Sequence, residues 1–234
     1  MTSLELASKI DHTLLKPEAT REEIQRILTE AQAHRFASVC LSPRWVTLAR
    51  KSLEGTGVLT CTVAGFPHGT SKSTIKAIEA VSSAKDGADE IDVVAHLPAL
   101  LAADLDAIKS DLLEFVRAAR AANPELVVKV IVESALLMQL PPPRAEECIA
   151  AACRAVRESG CDFIKTSTGY HPAGGATVEA VRLMKKYSEG IKIKAAGGIR
   201  DLKTAMAMLE AGADRLGMSA SVAVLNERAK TKEN

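Results

Sequence analysis

Eight short β-branched runs alternate with longer amphipathic stretches along this chain of 234 residues, and such alternation predicts an α/β fold of parallel β-α units. The count of eight, and a length close to the roughly 250 residues usual for the closed form, point to a (β/α)8 TIM barrel with a short N-terminal helix over residues 3–8. An open doubly wound sheet is the alternative, but it gives no reason for eight strands. The run Leu126-Val127-Val128-Lys129-Val130-Ile131-Val132 adds a third observation, being apolar on both faces as an interior parallel strand should be. Residues 1–234 therefore read as one barrel domain.

In order, Ser3 to Ser8 is a first helix and Lys9 to Thr13 the first strand. Thr20 with Glu23 three residues on is a capping-box signature, so the helix after Pro17 opens there and lines Ile24, Ile27, Leu28 and Ala31 along one face. Ala37 to Leu41 is the second strand, and Ser42-Pro43 starts a helix because the fixed φ of proline suits the first helical position. Val58 to Val63 is the third strand, ended by Gly65-Phe66-Pro67-His68-Gly69, a loop too rich in glycine and proline to continue it. A helix from about Ser71 to Lys85 closes at Gly87. Strand four is Glu90 to Val94, and the helix from about Ala103 to Ala122 stops before Asn123-Pro124. After the fifth strand, Pro141-Pro142-Pro143 resembles an inter-domain linker or a rigid loop into the helix Ala145 to Glu158; the loop is preferred because the alternation continues unchanged. Asp162 to Thr166, Ile191 to Ala195 and Asp214 to Gly217 complete the eight, and the polar tail 226–234 is expected to fray.

Thirty basic residues face 29 acidic ones, a net charge of +1, so bulk charge argues against nucleic-acid or membrane partners and any anion site must be local. With no basic region ahead of an apolar core at the N-terminus and no membrane-length apolar run, a cytoplasmic location is expected. The five cysteines (Cys40, Cys61, Cys148, Cys153 and Cys161) are odd in number and contain no Cys-x-x-Cys pair, which fits neither a disulfide framework nor a zinc knuckle. No histidine pair has ligand spacing, so no metal is expected; His12 and His68 are the two histidines left open.

In a closed barrel, functional side chains gather at the C-terminal ends of the strands. Asp11, Cys40, the loop 65–69, Asp92, Glu133, Lys165, Lys194 and the glycines after strands seven and eight would meet there. Lys165 needs a reason, since burying an ammonium is unfavourable unless it is paired or deprotonated. It either snorkels from a strand end or serves as a nucleophile. Lys194 stands at the matching place on the next strand, and two ammonium groups in a poorly solvated pocket disfavour each other's charge, yielding a neutral amine that attacks carbonyls. The alternative is that Lys194, like Lys192, only forms salt bridges. Asp92 would accept and return protons, whereas Asp89 and Glu90, at the start of the strand, are expected to be solvated. Gly197-Gly198 and Gly217-Met218-Ser219 stand where barrel loops bind phosphate through backbone N–H groups, although either alone is commonly a turn.

Six stretches, Ile10-Asp11-His12-Thr13-Leu14-Leu15-Lys16-Pro17, Phe66-Pro67-His68-Gly69, Asp89-Glu90-Ile91-Asp92-Val93-Val94, Lys129-Val130-Ile131-Val132-Glu133, Phe163-Ile164-Lys165-Thr166-Ser167-Thr168-Gly169 and Lys194-Ala195-Ala196-Gly197-Gly198-Ile199-Arg200, resemble in order and spacing the deoxyribose-phosphate aldolases. The resemblance covers about residues 9–225. It implies a class I aldolase, free of metal and cofactor, that reversibly cleaves 2-deoxy-D-ribose 5-phosphate to D-glyceraldehyde 3-phosphate and acetaldehyde in deoxyribose phosphate catabolism. Its partners would be small phosphorylated sugars and aldehydes; separately, exposed apolar helix faces would allow a homo-oligomer, dimer or tetramer. By the family's pattern Lys165 is the Schiff-base nucleophile, Lys194 the neighbour that lowers its pKa and Asp92 the proton-transfer residue. Asp11 supports the lysines, Cys40 lines the pocket, and Thr168, Gly169, Gly197, Gly198, Gly217 and Ser219 hold phosphate.

The chain also departs from that pattern. Ala220 follows Ser219 where two serines are usual, so one side-chain bond to phosphate would be missing or supplied by Ser221 instead. The stretches Ala95-His96-Leu97-Pro98 and Tyr170-His171-Pro172 are unusual too, and the C-terminal tyrosine of some members is missing. A related Schiff-base enzyme for another phosphorylated carbonyl compound and a non-catalytic sugar-phosphate sensor stand as the alternatives.

Overall fold

The computed structural model describes residues 1–231. It opens with α1 (Ser3–Ala7), where the hydroxyl of Thr2 accepts the Glu5 N–H and the Glu5 carboxylate accepts the Thr2 N–H. There follow β1 (Ile10–Leu14), α2 (Arg21–His34), β2 (Ser38–Leu41), a 3-10 turn (Pro43–Trp45), α3 (Val46–Leu53), β3 (Leu59–Ala64), α4 (Ser73–Lys85) and β4 (Glu90–Val94). The second half comprises α5 (Leu97–Ala102), α6 (Leu105–Ala122), β5 (Val127–Ile131), α7 (Ser134–Leu137), α8 (Arg144–Glu158), β6 (Phe163–Lys165), α9 (Val178–Tyr187), β7 (Lys192–Ala196), α10 (Leu202–Glu210), β8 (Arg215–Met218) and α11 (Ser221–Lys230).

The strands close in sequence order into an eight-stranded parallel barrel, β1 pairing β8. This is the (β/α)8 architecture that the alternation predicts. Outward-facing Val39, Leu41, Ile91, Val93, Val128, Val130, Ile164, Ile193 and Leu216 are buried against the helix layer and form the main apolar core. The barrel interior is unlike that layer. Register sets Asp92 beside Lys129, Lys165 beside Lys194, Lys194 beside Arg215 and Asp11 beside Gly217, so the inward positions carry charge.

Three local expectations are revised. The helix read from about Ala103 is α6, but the loop expected at 95–98 runs into an additional short helix, α5, which ends where Ala103 adopts a left-handed φ of 50°, and Asp104 caps α6 by accepting the Ala107 N–H. A one-turn helix, α7, follows β5 directly. The tail expected to fray from residue 226 is helical through Lys230: Val224 and Leu225 bury one face of α11, and Arg228 donates to the Met1 carbonyl. Residues 232–234 of that tail lie outside the described residues.

Candidate active site

Asp92, on β4, is the centre of the interior. Its Oδ2 accepts from Lys165 Nζ at 2.7 Å and from Lys194 Nζ at 2.7 Å, and its Oδ1 accepts from Lys129 Nζ at 3.0 Å and from the Cys61 thiol at 3.4 Å. Asp11 lies across from it, 2.5 Å from Lys194 Nζ and bonded to Arg215 at 2.5 Å. Asp92, Asp11, Lys129 and Lys194 are fully buried and Lys165 is nearly so. Fixing such charges away from water is unfavourable unless each finds partners; Asp92, Asp11, Lys129 and Lys194 each have at least two, and Lys165 has Asp92.

Burial alone would raise the Asp92 carboxyl, but the ammonium groups of Lys129, Lys165 and Lys194 override it and hold the carboxyl well below the ordinary range. Asp11 is held low in the same way by Lys194, Lys129 and Arg215. Burial disfavours the charge on Lys194, yet Asp11 and Asp92 outweigh it and keep its ammonium above the usual lysine range. Three carboxylates (Asp11, Glu90 and Asp92) thus share the interior with four bases (Lys129, Lys165, Lys194 and Arg215), so the bases divide fewer carboxylates among them.

Two members of this network were not among the residues picked from sequence. Lys129 bonds Glu90 at 2.6 Å as well as Asp92, and burial's opposition to its charge is overcome by Asp92, Cys61, Glu90 and Asp11. Arg215 joins Asp11 to Glu90. Glu90, expected to be solvated, is 1% exposed, because an inward residue at the start of a barrel strand faces the filled interior rather than solvent. The signal for Lys129 was its place in the middle of an apolar strand. Its ammonium sits among Asp11, Cys61, Glu90 and Asp92.

A cavity of about 400 Å³ opens at the C-terminal ends of the strands. Lys165, Thr168, Gly169, Gly197, Gly198, Gly217 and Ser219 line it, together with Leu15, Lys16, Tyr170 and Arg200. Asp92, Lys194 and Asp11 lie behind Lys165 in the barrel interior. Cys40, expected to line the pocket, is fully buried beneath it in a small cluster with Cys61 and Val63 against Leu15 and Phe66. Its thiol stays within 4.8 Å of Asp92, so it contacts the network rather than the cavity.

The anion-binding potential of the cavity comes from its backbone. Gly197 has a φ of 87°, and a Cβ on it would sit 3.0 Å from the Gly175 Cα and 3.3 Å from the Gly169 Cα, so only glycine permits this approach of the loops after β6 and β7. Among the described residues the N–H groups of Gly169, Gly197 and Gly198 donate to no protein acceptor. Thr166 locks the two strand ends, its hydroxyl donating to the Ala196 carbonyl at 3.1 Å and accepting the Ala196 N–H at 3.0 Å. Ser221 does not reach the cavity: it is fully buried, donating to the Met218 carbonyl and contacting His12 Nδ1 at 2.9 Å. His12, whose Nε2 meets Glu30 at 2.7 Å, is on the outer face of β1 and ties α2 to α11.

Residues 6–226 match the DeoC/LacD family aldolase. The chain is 45% identical over 225 residues to the deoxyribose-phosphate aldolase of Caldanaerobacter subterraneus subsp. tengcongensis, covering 96% of this chain and 94% of that one. It is 46% identical over 228 residues to the enzyme of the same name from Kocuria rhizophila, covering 96% and 97%. Among solved structures, the tetrameric deoxyribose phosphate aldolase of Aeropyrum pernix superposes with a TM-score of 0.88 at 32% identity, over 98% of this chain and 93% of that one. The aldolase QR15 superposes with a TM-score of 0.86 at 40% identity, over 97% of each chain. A family match over nearly the full length, with an eight-stranded barrel whose interior holds lysines around one buried aspartate beneath its mouth, makes the chain a member of the DeoC/LacD aldolase family.

Proposed function

We propose that this aldolase reversibly cleaves 2-deoxy-D-ribose 5-phosphate to D-glyceraldehyde 3-phosphate and acetaldehyde through a Schiff base on Lys165, within deoxyribose phosphate catabolism. The observation that carries the reading is that, of the three lysines bonded to Asp92, Lys165 alone reaches the cavity wall. Lys194 and Lys129 are each tied to two or more of the interior carboxylates, whereas Lys165 meets Asp92 alone, so Lys165 is the lysine least bound into the network and the one to engage a carbonyl in the cavity.

In this mechanism Lys165 Nζ adds to the C1 aldehyde of the open-chain sugar, and loss of water from the carbinolamine gives an iminium. Removal of the C3 hydroxyl proton breaks the C2–C3 bond, whose electron pair flows into the iminium to form an enamine as glyceraldehyde 3-phosphate departs. Protonation at C2 and hydrolysis then free acetaldehyde and the amine. In this reading Asp92, bonded to both Lys165 and Lys194, relays these protons, and Lys194 supplies the positive charge beside the nucleophile; the depressed Asp92 and raised Lys194 pKa values support that division. Gly169, Gly197, Gly198, Gly217, Thr168 and Ser219 take the 5-phosphate at the other end of the cavity.

No described helix is long and apolar enough to cross a membrane. All five cysteines are free thiols, which fits the reducing cytoplasm in which this reading sets the enzyme. A dimer or tetramer is part of the same reading, supported by the tetrameric Aeropyrum relative. The test is reductive trapping: incubation with deoxyribose 5-phosphate and borohydride should leave a substrate-dependent adduct on Lys165, and Lys165→Ala should lose both adduct and turnover. Near-normal cleavage by Lys165→Ala would end the covalent mechanism.

A further inference from the structure

Glu133 lies outside the charge network and takes no part in the chemistry set out above. It follows β5, is 1% exposed, and its Oε1 accepts the Thr168 N–H at 2.8 Å. Its backbone holds a left-handed φ of 47°, uncommon for a glutamate. The neighbours on either side continue the ladder to β6, Val132 donating to the Lys165 carbonyl at 3.0 Å and Ser134 to the Thr166 carbonyl at 2.8 Å. The left-handed residue between them sends a carboxylate to the turn beyond the nucleophile. Such conformations persist where surrounding contacts hold them, and they cluster at functional sites.

The consequence is visible in the donors of that turn. Glu133 takes the N–H of Thr168, and the Thr168 hydroxyl takes the N–H of Tyr170 at 3.1 Å. Gly169, between them, keeps its N–H free beside those of Gly197 and Gly198 at the cavity. We propose that Glu133 is a positioning residue that braces the Thr168-Gly169 turn as an anion-binding element and so sets the preference for a phosphorylated substrate. The proposal rests on the aldolase reading of this cavity. Glu133 acts through the reach of its acceptor oxygen, because the bond to Thr168 is what holds the turn.

Two variants separate reach from charge. Glu133→Gln keeps the length and an acceptor oxygen, whereas Glu133→Asp keeps the charge but is one methylene shorter, and aspartate tolerates the left-handed conformation better than glutamate. The readouts are kcat/KM for 2-deoxyribose 5-phosphate relative to 2-deoxyribose, and inhibition by inorganic phosphate. Glu133→Asp should lower the ratio about tenfold or more, through a higher KM for the phosphorylated sugar, and weaken phosphate inhibition alike, as expected for loss of a charge-assisted hydrogen bond. Glu133→Gln should stay within about threefold of the parent, since a neutral acceptor of the same reach keeps roughly half the strength of that bond. An unchanged ratio in Glu133→Asp, equal losses on both sugars, or a Glu133→Gln ratio as low as that of Glu133→Asp would overturn the proposal. Borohydride trapping on the parent enzyme runs alongside: an adduct on Lys165 with any of those results sinks this inference alone, whereas no adduct removes the mechanism and the inference with it.

Discussion

Replacing Lys129 by methionine keeps most of the side-chain volume but removes an ammonium that touches Glu90 at 2.6 Å, Asp92 at 3.0 Å and Asp11 at 3.7 Å. Arg215 remains for Glu90, but only at 3.4–3.5 Å, and Asp92 Oδ1 is left with the Cys61 thiol alone. Removing one partner of a buried ion pair destabilises proteins by about 3–5 kcal/mol, which for a chain of this length lowers Tm by about 6–20 °C. The effect should depend on pH with a definite sign. The folded pKa values of Asp92 and Asp11 are depressed, so their contribution is present above the unfolded carboxylate pKa of about 4 and is lost as pH falls through the folded values. In Lys129→Met both carboxyls rise toward their unfolded values, so less stability remains to be lost in acid. Urea unfolding from pH 7 to pH 3 should therefore show a gap between parent and variant that is largest near neutrality and narrows below about pH 4. A variant within about 1 kcal/mol of the parent at pH 7, or a gap that widens in acid, would refute the view that Lys129 neutralises the interior carboxylates.

Other substitutions probe the remaining contacts. Asp92→Asn leaves Lys165 and Lys194 around a neutral amide and should reduce kcat by about 10²–10⁴-fold, the usual contribution of a positioned proton-transfer group; steady-state rates across pH check it, and a loss under about tenfold would remove Asp92 from that role. Gly175→Ala would set a Cβ 2.2 Å from the Gly197 carbonyl oxygen, forcing the loops after β6 and β7 apart. It should destabilise by about 1–3 kcal/mol in thermal unfolding and raise KM for the phosphorylated sugar, and unchanged values of both would show that this seam does not shape the anion site.

Lys165 and Lys194 were legible in the sequence while Lys129 and Arg215 were not, because strand ends and strand floors differ in what surrounds them. Parallel strands of alternating side chains, closed in chain order, bring Asp11, Asp92, Lys165 and Lys194 to one end whatever the details of packing, and the register does so. The additional helix α5 ends at a single left-handed residue, Ala103, and the helix continued to Lys230 is held by the burial of Val224 and Leu225 and the contact of Arg228 with Met1, features on a scale that sequence periodicity does not reach. Lys129 was hidden by its neighbours. The run around it is apolar enough to read as buried on both faces, although the reasoning that a lysine in an apolar strand needs a partner applies to it as fully as to Lys165. The partner was hidden as well, because the start of a strand is the solvent end in an open sheet, whereas in a closed barrel it is the floor, and there Glu90 meets Lys129 and Arg215. The cavity wall was anticipated more fully than this floor. Yet floor and wall share one carboxylate: Lys129 and Arg215 take up Glu90 and contact Asp11, and Lys129 also bonds the Asp92 oxygen opposite the one that meets Lys165 and Lys194, so the floor fixes the carboxylate on which the cavity lysine rests.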